Sequence, residues 1–248
     1  MSRTRTGRTL PRLLALAAVA TVLFLIAAHY GTTPAAPGKT APSAGHDSTP
    51  NATAALTQLA TLRVLPSRPH HAGYQRGCGR GQACSFGPAW TDNTTAPGGH
   101  NGCDTRNDIL RTQLTGATYR PGSRCVVVAG TLHDPYTGRT IAFAKAHASL
   151  VQIDHLVPLA LAWDLGANAW PQPERAAYAN DEHLVLLAVD GTANDAKGDD
   201  GPAAWMPPNT SYRATYAAGF IAVLAHYRLP VTAADKTALT TALEGTHR

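Results

Sequence analysis

The 248-residue sequence has no internal repeat, no HExxH signature and no long apolar run outside its first thirty residues. The missing repeat excludes solenoid architectures, and the missing HExxH removes the commonest route to a zinc hydrolase. No cysteine follows the apolar stretch, so a lipid-attachment box is absent. A strong charge excess is missing too. The formal net charge is +5, but four arginines (Arg3, Arg5, Arg8, Arg12) lie in residues 1–30, which carry no acid. The remainder has 17 basic against 16 acidic residues, which alone gives no reason to infer a polyanionic partner.

Those N-terminal arginines precede LLALAAVATVLFLIAA, uncharged from Leu13 to Ala28, which reads as a signal peptide or signal-anchor over residues 1–30. The run is short for a comfortable membrane span, so a membrane is expected only through an uncleaved N-terminal segment. Residues 31–60, rich in Ala, Pro and Thr and free of aromatics, read as a linker. Residues 61–248 are long enough for one domain with a real core. Four cysteines (Cys78, Cys84, Cys103, Cys125) in an exported chain predict two disulfides. Of the three pairings, Cys78–Cys84 with Cys103–Cys125 is favoured. A zinc site is the alternative, against which irregular spacing speaks.

Charge is unevenly spread. Residues 61–150 hold ten basic and four acidic residues, and residues 151–210 hold two and nine. An acidic segment beside a basic one suits a metal site next to a phosphate-binding surface, although an ordinary solvated surface accounts for it equally.

The chemistry concentrates in QIDHLVPLALAW and in the later stretch NDEHLVLLAVDGTANDAKGDDGPAAW. LVQIDH (150–155) reads as a strand, with Asp154 and His155 at its end. Neighbours on a strand face opposite ways, so both serve one site only if the strand stops there, which Pro158 favours. LVLLAV (184–189) reads as a second, buried strand. Asp190 or Thr192 then caps a helix carrying Asn194 and Lys197. A carboxylate beside an imidazole, then a strand and Asn-x-x-Lys-Gly-Asp, is the layout of a one-metal phosphodiesterase site. Asp154 and Asn194 would supply hard oxygen ligands, and His155 a base with a free pKa near working pH. A lone Asp-His pair is more often an ordinary surface feature, so the reading rests on co-occurrence.

Further strands are expected over 125–132 and 139–143 around the turn HDPYTG. Helices are expected over 158–168, 173–180, 210–229 and 232–245, the last capped by Thr232 and stopped at Gly245. Trp163, Trp170 and Trp205 read as core. His70, His71, His100, His133, His147, His226 and His247 carry no motif.

GCDTRNDIL (102–110), GTLHDPYTGRTIAF (130–143), IDHLVPLALAWDLGANAW (153–170) and the segment from Ala179 to Asn209 together resemble the secreted bacterial branch of the HNH, or ββα-metal, endonucleases. That branch is related to the C-terminal domain of modification-dependent restriction enzymes, and the resemblance covers roughly residues 70–243. It implies an α+β fold with a ββα-metal core, an additional β-hairpin and C-terminal helices. It implies a secreted or membrane-tethered bacterial phosphodiester hydrolase, monomeric, acting on nucleic acid, DNA ahead of RNA. It further implies one divalent ion, Mg²⁺ ahead of Mn²⁺, Ca²⁺ or Zn²⁺. By resemblance His155 is the general base, with Asp154 and Asn194 as metal ligands. His183 stands where the family has an asparagine that braces the loop and orients the base. Arg106, Lys197 and Arg139 are substrate-phosphate candidates, against structural readings of Arg106 as a partner of Asp104 and of Lys197 as helix surface. Two rivals remain: a non-catalytic extracellular binding module on the same fold, and a zinc hydrolase using His155 and His183.

Overall fold

A computed structural model describes residues 51–245. The N-terminal apolar segment, residues 31–50 of the expected linker, and His247 lie outside the described residues. Asn51 opens the first helix by accepting from the Ala54 N–H at 3.1 Å. That helix, α1 (Ala52–Thr61), turns Ala52, Ala55 and Leu59 inward at helical spacing. Residues 52–60 therefore do not continue the linker: Ala and Leu are strong helix formers, and the buried stripe gives the helix a face to pack. A two-residue strand follows, β1 (Val64–Leu65).

Residues 66–104 contain no regular helix or strand. Their backbone is tied down by short-range hydrogen bonds and by Cys78–Cys84. Asp104 then caps α2 (Thr105–Gln113) by accepting from the Asn107 N–H at 2.9 Å. Three antiparallel strands follow, β2 (Thr115–Tyr119), β3 (Val127–His133) and β4 (Thr140–Ala144), in spatial order β2-β3-β4. The hairpin expected around HDPYTG is the β3–β4 pair, and β2 adds a strand that the pattern did not announce. Asp134 holds its turn together, taking hydrogen bonds from the Tyr136 and Thr137 N–H groups. Gly138 supplies the φ of +73° there.

The second sheet pairs β5 (Val151–His155) antiparallel with β6 (Leu186–Asp190). Between them run α3 (Leu159–Leu165) and α4 (Gln172–Ala179), and directly after β6 comes α5 (Gly191–Lys197). Every residue of β6 is buried, which explains its unbroken apolar run. Asp190 caps α5 through the Ala193 N–H, as its chemistry predicts. The two sheets are joined at this corner, where Asp134 accepts from the Asp190 N–H at 2.9 Å.

The chain ends in α6 (Arg213–His226), β7 (Val231–Thr232) and α7 (Ala233–Glu244), with β7 parallel to β1. Thr232 caps α7, as expected. Tyr216, Phe220, Ile221 and Leu224 of α6 are fully buried and form one core with Leu59, Leu156, Val185 and Leu239. Each large apolar side chain so buried contributes about 1.5–3 kcal/mol. The result is a mixed α+β fold with small sheets. Among the described residues no helix is long and apolar enough to cross a membrane.

Candidate functional site

A cleft of about 280 Å³ opens where β5 meets α5, and Asp154, His155, Asn194 and Asp195 line it. The sheet–helix corner thus gathers the three residues on which the sequence reading turned.

β5 ends at His155, so the Asp-His pair sits at the strand's end as expected. Asp154 pairs with Leu187 and His155 with Leu186, and their side chains meet different surroundings although both residues line the cleft. Pro158 starts α3.

Asp154 faces inward. Its Oδ2 accepts from Lys197 Nζ at 2.5 Å and from the Tyr136 hydroxyl. Burial, with the Asp154 charge beside it, pushes the Tyr136 phenol well above its usual pKa and keeps it a donor. Among the described residues Asp154 Oδ1 takes no hydrogen bond. Lys197 is fully buried, and its ammonium also donates to the His155 and Leu156 carbonyls at 2.9 and 3.1 Å. Three acceptors thus saturate its three protons. Burial lowers the Lys197 pKa and the Asp154 charge opposes that. Lys197 is therefore not placed to contact substrate phosphate: it clamps the strand carrying His155 to the helix carrying Asn194.

His155 points the other way. Its Nε2 lies 3.0 Å from the Ala179 carbonyl. A carbonyl can only accept, so Nε2 carries the proton and Nδ1 is left as the basic nitrogen. The Trp90 indole stacks on the ring at 5.8 Å between centroids and 17° between planes. Burial, followed by the Arg76 and Lys197 charges, lowers the imidazole pKa to about 3, with the Ala179 hydrogen bond opposing. The resting imidazole is neutral.

Asn194 is held by its amide nitrogen, which donates to Gln152 Oε1 at 2.7 Å, while Gln152 Nε2 donates to Asp195 at 3.0 Å. Among the described residues the Asn194 side-chain Oδ1 takes no hydrogen bond. Asp154 and Asn194 both line the cleft, and their side-chain oxygens are hard donors of the kind that suits Mg²⁺ or a similar ion. No group of three or more His, Cys, Asp or Glu that could hold a metal occurs among the described residues, so His155 and His183 do not form part of a zinc cluster there.

His183 is exposed, and its backbone N–H donates to Asp181 Oδ1 at 3.0 Å. The loop's bracing comes from neighbours instead. Ala179 orients the base, Asn180 donates to the Ala176 carbonyl at 2.8 Å, and Asp181 takes the Leu184 N–H and the Tyr227 hydroxyl. Arg106 donates to the Ala148 and Val151 carbonyls at 3.2 and 2.9 Å, a brace for the start of β5. Arg139 is largely exposed and pairs with Asp190 at 2.5 Å, at the head of α5. Both disulfides join the favoured pairs, Cys78–Cys84 and Cys103–Cys125, and no cysteine is free. Trp90, Tyr136, Gln152, Ala179 and Asn180 were missed. Of these, all but Trp90 lie inside the motifs named above, where Gln152 reads as strand, Tyr136 as turn, and Ala179 and Asn180 as helix end.

The family described as GmrSD restriction endonucleases, C-terminal domain, matches residues 104–242. An "uncharacterized secreted protein" of the fungus Arthroderma benhamiae is 37% identical over 195 residues, 78% of this chain and 85% of its own. The match gives no support to a specifically bacterial origin. No solved structure matches the chain. With more than half its length matched, this chain belongs to the GmrSD restriction endonuclease C-terminal domain family.

Proposed function

We propose that the protein is an exported, metal-dependent endonuclease that hydrolyses nucleic-acid phosphodiester bonds, DNA ahead of RNA, from a ββα-metal core formed by β5, β6 and α5. One observation carries this: His155, hydrogen-bonded through Nε2 to the Ala179 carbonyl, lines the same cleft as Asp154 and Asn194.

His155 Nδ1 accepts a proton from a water molecule in the cleft as the water oxygen bonds to phosphorus. The bond from phosphorus to the 3′ oxygen breaks in line, leaving a 5′-phosphate, and the 3′ oxygen takes a proton from solvent water to become the 3′-hydroxyl. Asp154 and Asn194 would hold a divalent ion, Mg²⁺ foremost, which when bound would supply charge neutralisation to the phosphate and the departing oxygen. Burial holds the imidazole pKa down. A phosphodiester entering beside it raises that pKa, because the nearby negative charge favours the protonated ring. Tyr136 and Lys197 hold Asp154 in one rotamer, and Gln152 does the same for Asn194, so the cleft is set before substrate arrives. Export is supported by the N-terminal apolar segment, two disulfides and a relative described as secreted.

The test incubates the oxidised full chain with supercoiled plasmid and with RNA in Mg²⁺, Mn²⁺, Zn²⁺ or chelator, beside Asn194→Ala. Metal-dependent nicking that chelator abolishes is expected, with Asn194→Ala requiring more metal for half-maximal rate. No cleavage of either substrate under any metal would overturn the reading.

A further inference from the structure

Residues 66–103 lie outside the span matched by the family, yet they press against the catalytic imidazole through Trp90. Arg76 stands in this stretch, partly buried. Its one side-chain hydrogen bond runs from Nη1 to the Gly87 carbonyl at 3.1 Å, three residues before Trp90. Among the described residues no carboxylate lies within ion-pair distance of it. The contrast with Arg68 is direct. Arg68 is also partly buried, and it meets Asp164 at 2.8 Å and Asp199 at 3.0 Å. Burial lowers the Arg76 pKa with only the Tyr74 phenol opposing, whereas the two carboxylates raise that of Arg68. A cation withdrawn from water without a counter-charge is costly unless an anion completes it.

The surroundings hold Arg76 in place. The Ser85 N–H donates to the Gln75 carbonyl and the Gln75 N–H to the Ser85 hydroxyl, the Cys84 N–H donates to the Gly77 carbonyl, and Cys78–Cys84 closes the loop. A second guanidinium, Arg175 of α4, crosses the same strip from the other side, donating to the Ser85 carbonyl at 2.5 Å. It too has no carboxylate partner among the described residues, and it lies 5.4 Å over the Trp163 ring.

We propose that Arg76 is a substrate-binding residue that takes a backbone phosphate of the polynucleotide flanking the scissile bond. The inference rests on the nuclease reading of the His155 cleft and names the part of the substrate that the segment outside the family span recognises. Guanidinium suits the role because its planar fork meets two phosphate oxygens at once. Arg175 adds positive potential on the same strip. The phosphate need not be the one cut, so binding and cleavage separate experimentally.

The experiment measures binding of a short fluorescein-labelled single-stranded oligonucleotide to the oxidised full chain in chelator, across a range of salt. Arg76→Gln keeps an N–H for the Gly87 carbonyl and removes the charge; Arg76→Lys keeps the charge and loses the fork. Arg76→Gln should bind about three- to tenfold more weakly near 0.1 M salt, and its slope of log affinity against log salt should be shallower by about 0.7, one phosphate contact fewer. Arg76→Lys should keep the wild-type slope. A purely structural role leaves the slope unchanged. Wild-type affinity and slope in Arg76→Gln, or no binding by the wild-type protein, would overturn the proposal. Arg76-dependent binding without cleavage of any substrate would leave it standing and remove the nuclease reading.

Discussion

Lys197 Nζ lies 2.5 Å from Asp154 Oδ2, with the lysine side chain fully buried and the aspartate nearly so. The pair joins α5 to β5 inside the protein, one residue from the imidazole and three from Asn194. Removing the cation leaves a buried carboxylate with only Tyr136 to answer it. Lys197→Met should therefore cost about 3–5 kcal/mol of stability, read from urea denaturation. Asp154→Asn added to Lys197→Met should recover part of the loss, since the stranded charge goes. A Lys197→Met protein as stable as wild type would mean that the ammonium does not hold this corner.

His155→Ala should fold normally and lose about 10²–10⁴-fold in turnover. The side chain is anchored by one hydrogen bond and one stacked ring, so its removal disturbs little else. Single-turnover cleavage at saturating metal is the measurement. Near wild-type turnover would remove His155 from the chemistry.

The two disulfides should differ in worth. Cys103–Cys125 closes a 22-residue separation and Cys78–Cys84 one of six. Loop-closure entropy then predicts losses of about 3 and about 2 kcal/mol for the paired serine variants. Thermal denaturation of each variant tests the order. If the loss at Cys78–Cys84 is larger, the short loop does more than restrict the unfolded chain.

Glu182 should make stability fall as pH rises. Burial, then the neighbouring Asp108 charge, pushes its carboxyl from 4.5 up to about 7. The folded state thus binds the proton more tightly than the unfolded chain. Its contribution is full below about pH 4.5 and is lost as pH rises through about 7. Glu182→Gln keeps a donor for Asp108 and cannot ionise. Melting temperatures of wild type and variant should therefore diverge between pH 5 and 8, with the variant ahead at pH 8. Parallel curves over that range would contradict the shift.

The strand over 151–155, the buried run before Asp190 and the helix it caps were legible because alternation, apolar continuity and capping are local properties. Thr232 before α7 was legible for the same reason. The helix at 52–61 was not: an Ala-, Thr- and Pro-rich composition reads as linker, and only α6 and α7, more than 150 residues away, give Leu59 a surface to bury against. The β1–β7 pair is hidden likewise, since two residues matched across that span leave no periodic trace.

Within the site the division follows the range of the forces. Sequence alone determined the residue types, the Asp-His adjacency, the cap that places Asn194 and the even number of cysteines. Tertiary structure decided their duties. It turned Lys197 inward because a carboxylate and two carbonyls converge on it, and set His183 outward while Ala179 took over the base. It also brought Trp90 from an irregular segment onto the imidazole. Local propensity selects elements, whereas which polar group meets which is decided by desolvation: a buried charge or imidazole settles where its hydrogen bonds can be completed, and that place is built by chain far away.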